Sequence, residues 1–82
     1  MDESSIRNAL EAGLPDAQVR VSGDGTHFEA VIVSPAFEGK TLLQRHRLVN
    51  ALLADALHSG ALHALSMDTL TPGQWAARQD RS

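Results

Sequence analysis

The stretch AQVRVSGDGTHFEAVIVS, residues 17–34, limits the folds open to this chain more than any other part of it. Ala17, Val19 and Val21 alternate with Gln18, Arg20 and Ser22, the period of a strand with one buried and one wet face. Asp24-Gly25 then supplies a tight turn, because both residues tolerate positive φ. The second strand, His27 to Ser34, is apolar on both faces at its far end, where Val31, Ile32 and Val33 follow one another. That pattern suits a central strand covered on both sides.

On the N-terminal side of this hairpin, Ile6, Leu10 and Leu14 recur at four-residue spacing and predict a helix from Asp2 to Leu14. Ser4 or Ser5 is the expected cap, and Gly13 and Pro15 the stop. After Pro35 and a short connection, a long helix is expected from about Thr41 to His58. Its apolar arc is Leu42, Val49, Leu53 and Ala56, with His46 inside it, Arg45 at its border, and Arg47 and Asp55 pointing away. His58 suits the negative helix end and Gly60 the stop. A third strand runs from Leu62 to about Met67. Thr71-Pro72-Gly73-Gln74 then has the form of a capping box with proline at the first helical position, so a short closing helix begins near Trp75. The order is αββαβα, and the strand–helix–strand crossover makes the third strand parallel to the second. The expected fold class is α+β, a single domain over residues 1–82 with a three-stranded mixed sheet.

A chain of 82 residues buries about 60–65% of its unfolded surface, enough for one adequate core. The net charge of −3 disfavours a protein that holds nucleic acid mainly by neutralising phosphates. There is no cysteine, so a thiolate in any metal site has to come from another molecule. The start, MDESSIRNALEAG, is acidic and has neither a basic leader nor an apolar run, and a soluble, cytoplasmic protein is expected.

Three segments in order, VSGDGTHFEAVIVS, FEGKTLLQRHRLVNALLADAL and LHALSMDTLTPGQWA, resemble the BolA family, and within it the short bacterial, IbaG-like branch. The resemblance spans nearly the whole chain and implies a KH-like fold of the second topological class. It implies two functions of different kinds. One is a heterodimer with a monothiol glutaredoxin of CGFS type around a shared [2Fe–2S] cluster, with glutathione as a further ligand. The other is transcriptional regulation by binding DNA.

A cluster shared in that way leaves two positions on one iron for this chain, and without cysteine the donors are nitrogen or oxygen. By the resemblance, His63 in LHALSM matches the family's ligand histidine; the apolar neighbours Leu65 and Met67 also allow a partly buried structural histidine. His27 is the histidine beside the hairpin loop, where family members carry a second ligand; a solvated turn-flanking histidine is the other reading. His46, in the family's RHR, sits on the apolar arc and reads as structural. His58 matches no family ligand position.

Lys40, Arg45 and Arg47 cluster at the start of the long helix and form the candidate nucleic-acid or anion-binding patch, or else an ordinary solvated face. The same patch suits docking of glutathione carboxylates or a glutaredoxin surface. No two glycines stand three apart, so the GxxG clamp of RNA-binding KH domains is absent. Nor does the sequence contain a Walker loop, G-x-G-x-x-G or G-x-S-x-G, and no enzymatic turnover is expected.

Overall fold

The computed structural model describes residues 2–23, 27–60, 62 and 64–80. Helix α1 (Glu3–Gly13) is followed by strands β1 (Gln18–Gly23) and β2 (His27–Val33) and a single 3-10 turn (Pro35–Phe37). Helices α2 (Leu42–Leu52) and α3 (Ala54–Ser59), strand β3 (Ala64–Leu70) and helix α4 (Pro72–Asp80) complete the fold. The sheet has the order β1-β2-β3. β1 and β2 are antiparallel, and β2 and β3 are parallel, as the crossover argument requires. The Asp24-Gly25 turn lies outside the described residues.

Register gives the sheet its two faces. Val19 lies opposite Ile32 and Val21 opposite Ala30, while Phe28, Ala30 and Ile32 lie opposite Leu65, Met67 and Thr69. These residues share one face, and Phe28, Ala30 and Ile32 join Ile6 and Leu10 of α1, Val49 of α2, Phe37, Leu53 and Leu62 in one buried cluster. α1 and α2 therefore cover this inner face. The outer face carries Arg20, Glu29, Ser66 and Asp68, with Val31 between Arg20 and Asp68 in one row across the three strands. α4 reaches that side: the Arg20 guanidinium stands 5.9 Å from the centre of the Trp75 ring, and Arg78 Nη1 donates to Asp68 Oδ2 at 2.6 Å.

Several boundaries differ from the sequence reading, each for a local reason. Asp2, not Ser4 or Ser5, caps α1 by accepting the Ser5 N–H at 2.8 Å. The long helix is broken at Leu53, whose N–H is shared between the carbonyls of Val49 and Asn50 and whose backbone leaves the helical region at ψ 15. Leu53 is buried at this break, and the chain resumes as α3. Leu42 is off the apolar arc and 65% exposed; Arg45 takes the buried position one turn on. β3 extends to Leu70 because Ser66 and Asp68 alternate outward while Met67 and Thr69 face inward. The capping box at Thr71–Gln74 forms as read, with Gln74 N–H donating to Thr71 Oγ1 and Thr71 N–H to Gln74 Oε1. An equivalent box, Thr41 with Gln44, starts α2. Gly60, in the left-handed region at φ 79, ends α3.

Phe37 has no exposed surface and fills the space between the sheet and α2. Phe37→Ala is expected to lower unfolding free energy by about 3–5 kcal/mol in a urea titration. The Ser5 backbone hydrogen bond holds the Asp2 carboxyl below its ordinary pKa of 3.8. Between the lowered folded value and 3.8 the unfolded chain binds more protons, so this stabilisation is fully present above 3.8 and is lost as pH falls through the folded value. Asp2→Ala is expected to flatten that part of an acid-unfolding curve.

Candidate metal centre and the basic helix start

His27 is the first residue of β2 and is exposed at the end of the sheet. Its position depends on Gly23, the last residue of β1, which pairs with Phe28. A Cβ on Gly23 would collide with the His27 carbonyl and the Phe28 ring, so only glycine lets the hairpin close this tightly. Across the parallel ladder, His27 pairs with Ala64. Ala64 follows His63 in sequence, and His63 itself lies outside the described residues. Among the described residues, no three His, Asp or Glu side chains converge on one point.

The other two histidines lie on the helices. His46 is half-buried in α2, between the buried Arg45 and the exposed Arg47. His58 is exposed in the last turn of α3, where a cation is favoured by the helix dipole.

The basic cluster at the start of α2 separates into two kinds of residue. Lys40 and Arg47 are exposed. Arg45 is only 7% exposed, and this corrects its assignment to a surface patch with them. Its Nε donates to the Lys40 carbonyl at 3.0 Å, and its Nη1 to the Thr69 carbonyl at 3.0 Å and to Gln74 Oε1 at 2.9 Å. Its guanidinium carbon also stands 5.8 Å from the centre of the Phe37 ring. Arg45 thus ties α2 to the end of β3 and to the capping box of α4, and Gln74 Oε1 accepts from both Thr71 and Arg45. Gln74 is the partner of Arg45 that reasoning from sequence did not reach; its place in the capping box was the signal for it.

The BolA-like protein family model matches residues 2–74, which contain the three described strands and α1, α2 and α3 and end within the first turn of α4. The chain belongs to the BolA family. It is 32% identical to the acid stress protein IbaG of Escherichia coli K12, with 93% of this chain and 90% of that protein covered. A BolA protein homologue from Coxiella burnetii has the same fold, with a TM-score of 0.83 and 43% identity over 93% of this chain and 97% of the other. The BolA domain of SufE1 from Arabidopsis thaliana gives a TM-score of 0.78 and 43% identity over 87% and 92%. The chain spans 60% of the length of the longer BolA-like relatives it matches. BolA members thus share this mixed sheet and its helical cover, and the α+β class and the family resemblance read from the sequence both hold.

Arg45 and Arg47 should respond oppositely to truncation. Arg45→Ala is expected to cost about 3 kcal/mol or more, because several charged hydrogen bonds are lost and buried acceptors are left unpaired. Arg47→Ala should stay within about 0.5 kcal/mol of the parent. Paired urea titrations of the two variants measure the difference.

Proposed function

We propose that this BolA-family chain is an adaptor in iron–sulfur biology that pairs with a monothiol glutaredoxin and, with glutathione, co-ligates a [2Fe–2S] cluster through His63 and His27. The observation that carries the reading is the pairing of His27 with Ala64. Adjacent strands run about 4.8 Å apart, so the register brings the backbone that follows His63 to within one strand spacing of His27. Likeness to the BolA domain of SufE1 fits a role in iron–sulfur biology. Likeness to an acid stress protein fits a role in stress response.

The donor chemistry suits the group. The chain has no cysteine, so it contributes imidazoles and the partner and glutathione contribute the thiolates. His27 is exposed at the end of the sheet, where a second protein has access to it. A cluster with nitrogen donors on one iron carries less negative charge and a higher reduction potential than an all-thiolate one. Imidazole binds metal only with its metal-facing nitrogen deprotonated, so the hold weakens as pH falls. The chain carries its cargo without turning over a substrate, and this reading places it in the cytoplasm. Among the described residues, no helix is long and apolar enough to cross a membrane.

The test is anaerobic reconstitution with a CGFS glutaredoxin, glutathione, iron and sulfide, followed by visible absorption and circular dichroism. A heterodimer spectrum distinct from that of the glutaredoxin homodimer is expected. It should disappear in His63→Ala, change in His27→Ala, and bleach faster at pH 5.5 than at pH 7.5. A spectrum that stays that of the homodimer, with no complex formed, would end the adaptor reading. Salt-dependent DNA titration of Lys40→Glu and Arg47→Glu would then examine the regulator reading, with Arg45 left intact because it holds the fold.

A further inference from the structure

A cleft of about 460 Å³ opens between the first turn of α2, the free edge of β3 and α4. Leu42, Leu70 and Ala77 supply apolar wall, and Arg45, Gln74 and Arg78 supply donors. It lies toward the Leu70 end of β3, away from the Ala64 end beside His27.

Arg45 is a buried cation without an anionic partner. Its three acceptors, two backbone carbonyls and the Gln74 amide oxygen, are neutral. Among the described residues, the ion pairs are Arg7 with Glu11 and Arg78 with Asp68, and neither involves Arg45. Its second amino group, Nη2, has no acceptor among the described residues. Thr69 Oγ1 is the single fully enclosed side-chain polar atom left unpaired among them, so Nη2 keeps a path to solvent, and the cleft is the opening that Arg45 lines. Burial of a charge compensated only by neutral acceptors and the Phe37 ring costs free energy that an anion would offset.

Gln74 completes the donor set. Its Oε1 is occupied by Thr71 and Arg45, which leaves its amide NH₂ to donate. Asp68 also borders the cleft, but Arg78 neutralises it at 2.6 Å, so the local balance with Arg45 is a single positive charge. One net charge, few donors and an apolar wall match a planar monocarboxylate better than a doubly charged phosphate, which would face Asp68.

We infer that this cleft binds a carboxylate carried on a short aliphatic group, received by Arg45 Nη2 and the Gln74 amide, with the aliphatic part against Leu42, Leu70 and Ala77. Such a group comes from two sources, a free aliphatic acid or the C-terminus of a peptide that ends in an aliphatic residue.

The test is an NMR titration of the ¹⁵N-labelled full chain, following the Arg45 Nε–H and the Thr69 and Gln74 backbone amides. The probes are 4-methylpentanoate, an acetylated tetrapeptide ending in leucine carboxylate, and the same peptide as its C-terminal amide. Saturable shifts at these three residues are expected with a carboxylate, and the amide should bind about tenfold or more weakly. Because Arg45 also supports the fold, the blocking variant is Ala77→Trp, which fills the cleft from an exposed position and should abolish the shifts while the rest of the spectrum persists. Binding of 4-methylpentanoate alone identifies a small acid as the ligand; binding of the peptide carboxylate identifies a partner's C-terminus. The inference is overturned if neither carboxylate gives a saturable shift, if the amide binds as tightly as the acid, or if Ala77→Trp still binds.

Discussion

β2 is hydrogen-bonded along both edges while its inner face is buried, and the rest of the domain is arranged around that double demand. A slip of one residue against either neighbour would turn Phe28, Ala30 and Ile32 out of the core and bring Glu29 in. The register therefore decides which side α1 and α2 cover. It also leaves the outer side mostly polar, and α4 is held there by Arg20 on Trp75, Arg78 on Asp68 and Arg45 on Gln74 rather than by any fully buried residue of its own. At its other end β2 is anchored by Ser34, whose N–H donates to the Leu70 carbonyl and whose hydroxyl donates to the Pro15 carbonyl. That one residue joins the sheet to the turn that leads out of α1.

Much of this was legible in the sequence because it is local. Alternation at Val19 and Val21, the unbroken Val31-Ile32-Val33 run and the Thr71–Gln74 box each report on neighbouring residues, and all three describe what forms. The Thr41–Gln44 box has the same T-x-x-Q form and was equally readable. The break at Leu53 was not, since neither glycine nor proline marks it; the helix yields there so that Leu53 enters the core.

Arg45 shows why the candidate site was harder to read. Helical periodicity places its Cα at the border of the apolar arc, and a long cationic side chain at a border usually extends to water. Here the guanidinium turns inward, because its acceptors, the Thr69 carbonyl and Gln74, come from elements far along the chain. No local pattern encodes that meeting. The histidine pair has the same character: the hairpin signal located His27, but only the β2–β3 register brings it beside Ala64, and for His63 the family resemblance remains the basis.

The parallel pairing of β2 with β3 also sets an order of assembly. β1 and β2 are joined by a short loop and can meet early, whereas β3 reaches β2 only after the 3-10 turn, α2 and α3 have been threaded across the inner face. Non-local strand pairing of this kind bears the loop-closure entropy late in folding. A nascent or partly unfolded chain can display the hairpin and expose His27 without the β3 backbone beside it. Any property that needs the Ala64 end of β3 beside His27 is thus confined to molecules that have finished folding, a quality check built into strand order.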